Sequence, residues 1–304
     1  MKQHPSVADT RPRPRQHPTR DGPATLFAAD PKVTDLFTAD DGDYFGLVLV
    51  TNWPSSSVSL EDSYPQFVQH VRTCFDAIDL DADDHDDDNT GTIPGIPAVY
   101  LYPTRHLHIT VATFVPQTKD ITTNTKQQKQ ATEDQRMELQ QRIAAILQKA
   151  TQLASWPTTP LQLVVDTTQL GKTAGILLWH DQSGGIERIR QCLRAVWPVA
   201  TSVSSSAEFS HSTAQTLPLP PLRIPGIIHS TFLRFARTPH TPGEQIQARF
   251  QSEVIPQVGS WFHNKESVGL KSTVDTLKFV CERRPYMHVP DDARHVLWNT
   301  TLGE

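Results

Sequence analysis

The octapeptides at 71–78 (VRTCFDAI) and 189–196 (IRQCLRAV) follow one pattern: apolar, arginine, polar, cysteine, aromatic or aliphatic, charged, alanine, apolar. The first lies in a segment whose Phe67, Val71, Cys74, Phe75 and Ile78 share one helical face. Such a repeat narrows the chain to folds built from two like halves. The flanking patterns repeat as well. In the first half strand-like and helical segments alternate at 44–51, 61–80, 98–102 with 106–115, 133–153 and 161–167. In the second half the same order recurs at 175–180, 185–197, 227–235, 243–258 and 274–281.

A histidine stands 34 residues after Cys74 and another 37 after Cys192, and both open the same tripeptide: His108-Ile109-Thr110 and His229-Ser230-Thr231. Alone this is a weak signal. With 13 histidines and 52 Ser and Thr in 304 residues, chance supplies about two such matches, and the chain has five. His4-Pro5-Ser6 and His17-Pro18-Thr19 lie in a proline-rich stretch, and His211-Ser212-Thr213 lies in a Ser/Pro-rich loop, where no strand holds both side chains on one face. The other two sit in strand-like runs, LHITVATF at 107–114 and IHSTFLRF at 228–235. A period of two puts His108 with Thr110 and His229 with Thr231 on one face, and Arg234 on the face opposite His229.

If the halves are related by a pseudo-two-fold axis, those faces oppose each other across a cleft. The pairing suits a phosphodiester. One neutral imidazole takes a proton from the attacking oxygen, the other, protonated, supplies one to the leaving oxygen, and the threonine hydroxyls donate to the non-bridging oxygens. The scheme needs no metal and no cofactor.

At these residues the chain resembles the 2H phosphoesterase superfamily, over roughly residues 44–289. The second motif, running on to Phe232-Leu233-Arg234-Phe235, is similar to the family's form in having an arginine shortly after the threonine. The run Leu277-Lys278-Phe279-Val280-Cys281-Glu282-Arg283-Arg284, followed by Pro285-Tyr286-Met287, resembles the closing strand of eukaryotic-type members. The resemblance implies a duplicated α/β fold, His108 and His229 as the acid/base pair, and Thr110 and Thr231 as phosphate binders. It implies activity on 2′,3′-cyclic phosphate ends of RNA or on small cyclic nucleotides, with 2′–5′ oligonucleotide hydrolysis or RNA end-processing as variants within the family. Arg234, Tyr102 and Tyr286 are candidate substrate contacts.

Net charge narrows the partner. With 28 Lys and Arg against 33 Asp and Glu the chain carries −5, so no broad positive field holds long nucleic acid, and an RNA end must be gripped locally. No apolar stretch approaches the roughly 20 residues that cross a bilayer, and no basic-then-apolar leader opens the chain. A monomer of the cytoplasm or nucleus is expected, without a membrane partner. The five basic groups and one acid among the first 20 residues hint at organellar targeting, but the prolines argue against an amphipathic helix there. Cys74, Cys192 and Cys281 read as buried thiols of a reducing compartment.

Other patterns read as structural. His106 and His108 form an i, i+2 pair without a third ligand suitably spaced. The acidic run 81–88 has Asp86 where a calcium loop needs glycine and Thr92 where it needs glutamate. Gly171-Lys172-Thr173 ends like a phosphate-binding loop, but Asp166 stands at its first glycine, so a turn is expected. Tyr44, Phe45, Tyr102 and Tyr286 could stack a base if they rim the cleft.

The expected fold is thus α/β (α+β), duplicated and bilobal, with two β-sheets lining a central cleft and helices outside. A Pro/Arg-rich tail is expected over 1–42, one domain over 43–290 with lobes near 43–168 and 174–290 and loops at 79–96 and 198–225, and a tail over 291–304. Two competing readings remain: a module that binds phosphate-ended RNA or nucleotides without turnover, and an interaction protein in which both motifs are structural.

Overall fold

The computed structural model describes residues 26–55, 57–79, 98–119, 126–198, 219–239, 241–258 and 270–303. The stretch to residue 25, the acidic run at 81–88 and the loop over 199–218 lie outside them. The fold is α+β, with two antiparallel sheets and, among the described residues, five α-helices.

In chain order, α1 (Asp35–Thr38) and β1 (Tyr44–Thr51) precede α2 (Val58–Asp79), β2 (Val99–Leu101), β3 (Ile109–Lys119), α3 (Lys126–Thr151) and β4 (Leu161–Leu170). Then come β5 (Ala174–Asp181), α4 (Gly185–Val196), β6 (His229–Phe235), α5 (Gly243–Arg249), β7 (Lys271–Val274), β8 (Thr276–Cys281) and β9 (Val296–Thr301). One sheet has the order β3-β1-β8-β9, the other β2-β6-β5-β4-β7. The repeat is visible in these orders. In each half the first strand pairs with the third element of the repeat, β1 with β3 and β5 with β6. The last strand of each half crosses to the other sheet: β4 pairs with β5, and β8 pairs with β1.

The helices cover the outer faces in the same reciprocal way. On α2, Tyr64, Phe67, Val71, Cys74 and Phe75 are buried at helical spacing, and Phe67 meets Phe232 of β6 with ring centroids 5.0 Å apart. Phe250, in the π-helical turn Phe250–Val254 that continues α5, stacks on the same Phe232. The other sheet is covered by α3, whose Gln140 reaches Cys281, and by α4, beyond whose end Trp197 stacks on Phe114. Ile186, Ile189, Cys192 and Leu193 of α4 are buried, and Asp181 Oδ2 accepts from the Ile186 amide at 2.7 Å, satisfying a free N–H of the first turn. All three cysteines are free and buried. No described helix is long and apolar enough to cross a membrane.

Four expectations are corrected. The fold does not start near Tyr44: Phe27 and Val33 are buried, Phe27 packs on Phe235 at 4.9 Å, and the Asp30 amide donates to the Phe235 carbonyl at 2.7 Å. Phe27 and Asp30 therefore dock at the end of β6 in the second sheet, and Asp35 and Gly42 bond Lys119 of β3 and the Arg283 carbonyl beside the first. The segment 291–304 is likewise no tail, since β9 pairs along β8 and Leu302 is buried. The single strand expected over 274–281 is two, broken at Asp275, because β7 pairs with β4 in one sheet and β8 with β1 in the other. The strand expected from His106 begins at Ile109, after a 3-10 turn over Thr104–His106. Gly171-Lys172-Thr173 is the turn expected, closed by the Gly171 amide on the Ala174 carbonyl at 2.7 Å.

Candidate active site

The inner faces of the two sheets enclose a cavity of about 350 Å³ whose lining includes His108 and Thr110 from one sheet and His229 and Thr231 from the other. Strand alternation brings each pair inward, as its spacing predicts. Beyond the threonines alternation fails in both strands at the same place. Leu49 opposes Ala112 and Val50 opposes Thr110, which leaves Val111 as an extra residue in β3. In β6, Gly175 opposes Leu233 and Ile176 opposes Thr231, leaving Phe232. Each strand so carries a β-bulge after its threonine, which reverses the parity of the residues beyond it. Thr113 and Arg234, three residues past Thr110 and Thr231, therefore both line the cavity. The expectation that Arg234 faces away from His229 is overturned by that bulge.

The two histidines are held differently. His108 is pushed down to about 4, chiefly by burial, with Arg234 and His229 adding to the effect. Its Nδ1 donates to the His106 carbonyl at 3.0 Å, so Nε2 carries the free lone pair. The equivalent carbonyl for His229 is that of Ile227, and Arg190 Nη2 already donates to it at 3.2 Å. His229 Nδ1 is buried without a well-formed hydrogen bond, although the Ile227 carbonyl is near enough to favour protonation there. Burial, then the cationic Arg190 and Arg234, hold His229 below the ordinary imidazole range. Arg190 is itself buried and also bonds the Val111 carbonyl at 3.3 Å, tying the bulge of β3 to the start of β6.

Arg234 is fixed on three sides. Its Nε donates to the Tyr102 hydroxyl at 3.1 Å, its Nη1 meets Asp30 Oδ2 at 2.5 Å, and its Cζ lies over the Tyr286 ring, 3.8 Å from the centroid. Tyr286 in turn donates to Asp30 Oδ1 at 2.6 Å. Tyr286 and Met287 hold φ of 54° and 64°, a left-handed pair of non-glycine residues that costs on the order of 1–3 kcal/mol each. That backbone turns the Tyr286 ring onto Arg234. Tyr102 and Tyr286 are thus both at the cavity, whereas Tyr44 and Phe45 are not in its lining.

Several lining residues were not anticipated. Lys32 is at the cavity, its Nζ donating to the Gln117 carbonyl at 3.2 Å. Asp30 and Lys32 fell within the supposed tail, and the signal against a tail was the apolar set Leu26, Phe27, Val33, Leu36 and Phe37. Glu282, just past β8, is buried in the cavity wall and pushed up to about 7 by burial, partly offset by Lys32 and Arg234. Thr113 and Arg234 shared one available clue: an apolar doublet, Val111-Ala112 and Phe232-Leu233, comes after each threonine.

Two neutral-leaning imidazoles, three threonine hydroxyls and a fixed guanidinium around one small cavity can hold an oxyanion and move protons on two sides of it. No known family profile and no curated protein matches the sequence. The structure is similar to the crystal structure of TT0787 of Thermus thermophilus, with 13% sequence identity, TM-score 0.36, and coverage of 85% of this chain and 98% of that one.

Proposed function

We propose that this chain is a phosphodiesterase that opens 2′,3′-cyclic phosphate ends of RNA, or small cyclic nucleotides, in the manner of the 2H phosphoesterases its motifs resemble. The observation that carries the reading is the meeting of both His-x-Thr motifs in one cavity, each presented by the equivalent strand of its half. His108, more strongly held neutral and with Nε2 free, is the base: it takes a proton from water as the water oxygen bonds to phosphorus. His229, protonated, gives its proton to the ribose oxygen that leaves as the other P–O bond breaks, and the product is a phosphomonoester. Thr110 and Thr231 donate to the non-bridging oxygens, and Arg234 balances their charge.

The test is turnover of adenosine 2′,3′-cyclic phosphate and of an RNA oligomer with a cyclic-phosphate end, in EDTA, by wild type and by the His108→Ala and His229→Ala variants. Turnover in wild type that falls at least about 100-fold in each variant, with little change in unfolding midpoint, is the expected result. Turnover untouched by either substitution, or none by a folded wild type, overturns the reading and leaves a binding module.

A further inference from the structure

Tyr102, in the wall of the cavity, has further rings packed behind it that are not part of the cavity lining. Tyr100 is directly opposite Arg234 in the β2–β6 register and so shares its face, with its ring 5.2 Å from that of Tyr102. His288, two residues past Tyr286, meets the Tyr100 hydroxyl through Nε2 at 2.7 Å and stacks on His106 with centroids 4.0 Å apart and planes 11° from parallel. Phe37 of α1 stands edge-on to Tyr100 at 5.9 Å and is 57% exposed. Two turns, one strand and one helix converge here to place four rings in a row of contacts, Phe37, Tyr100, His288 and His106, alongside Tyr102 of the cavity wall. The acid/base chemistry uses none of them.

The row has a definite chemical character. His106 donates from Nδ1 to the Met287 carbonyl at 3.0 Å and accepts from Arg105 at Nε2 at 3.1 Å, a pattern that only the neutral ring satisfies. Burial keeps His288 neutral as well, lowering it to about 3. The rings themselves are therefore uncharged, with two cations beside His288, the exposed Arg105 and the half-buried Arg284. An acidic or basic peptide would find little to pair with. A nucleobase has a π-face to stack on such rings, and the phosphate beside it a guanidinium to meet.

We infer that this row is the subsite for the nucleotide immediately 5′ of the cyclic end, so that the substrate is an RNA strand and not a free cyclic mononucleotide. The inference rests on the phosphodiesterase reading above. In a strand ending in a 2′,3′-cyclic phosphate the rest of the chain lies on the 5′ side, and it leaves the cavity where Tyr102 gives way to Tyr100.

The experiment compares kcat/KM for adenosine 2′,3′-cyclic phosphate with that for a dinucleotide and a tetranucleotide bearing the same end, using wild type, Phe37→Ala, Phe37→Tyr and Arg105→Ala. One stacked base corresponds to about five- to hundred-fold, so wild type is expected to prefer the dinucleotide by at least about tenfold. Phe37→Ala and Arg105→Ala should cut that preference several-fold, and Phe37→Tyr should keep it. Phe37 and Arg105 are exposed, so their replacement leaves the core intact. Equal kcat/KM on all three substrates in wild type, or a preference indifferent to both alanine variants, overturns the subsite and leaves the phosphodiesterase standing. No turnover of any of the three by folded wild type removes both.

Discussion

His108, just before β3, and His229, the first residue of β6, occupy matching places in the repeat, yet their surroundings differ, and pH is where the difference shows. In the proposed mechanism His108 must be neutral to act as base, which holds above about 4. His229 must be protonated to act as acid, and its protonated fraction falls as pH rises through a value held below 6.5 by burial and by Arg190 and Arg234. Measured on the free enzyme as kcat/KM, the profile should be a bell with its maximum on the acid side of pH 6.5. Arg190→Met, which removes the cation with the larger effect on His229 and frees the Ile227 carbonyl for it, should move the basic limb upward. A maximum above pH 7 in wild type would contradict the assignment. At this scale the sequence was informative: residue types and parity brought four side chains to the cavity. Arg190 shows where it stopped, because its counterpart in the repeat, Arg72, is exposed, and only the packing of α4 against β3 decides which of two equivalent arginines is buried.

Element boundaries came from periodicity, and the functional detail came from departures from it. Helical stripes and strand runs were legible because each buries one face. The bulges at Val111 and Phe232 were not, since a bulge is defined by the partner strand and the partner is distant in sequence. Gly175 on β5 makes room for one of them. A Cβ there would lie 2.6 Å from Phe232 Cζ, at the very residue that β6 inserts. Gly175→Ala should therefore destabilise by about 1–3 kcal/mol, read from urea unfolding, and lower kcat/KM by displacing Arg234, three positions past Thr231. The same substitution at Gly226, where a Cβ meets nothing within 4 Å, should leave both measurements close to wild type.

Across the whole molecule the two halves trade strands: β4 completes the sheet of the second half and β8 that of the first. Neither half can close its own core, so a fragment covering residues 1–172 should show no cooperative urea transition, while the full chain should lose both sheets together. Two independently folding halves would contradict that reading of the topology. The order of elements was readable from the repeat, but this exchange was not, because periodicity names strands and not their partners. The N-terminal segment was missed for a related reason: proline and arginine before residue 25 set the reading for residues whose own composition is apolar.

The N-terminal segment also treats the two sides of the duplicated cavity differently. Arg234 of β6 is gripped by Asp30, while its counterpart on β3 is Thr113, and Lys32 bonds Gln117 on that strand. A cavity with true two-fold symmetry would accept a phosphodiester in either sense, with entry and departure interchangeable between its histidines. A fixed cation on one wall and a hydroxyl on the other abolish that degeneracy, so a strand bound as proposed would have a single polarity of entry. The duplication supplies the paired chemistry, and a segment outside the duplication gives it a direction.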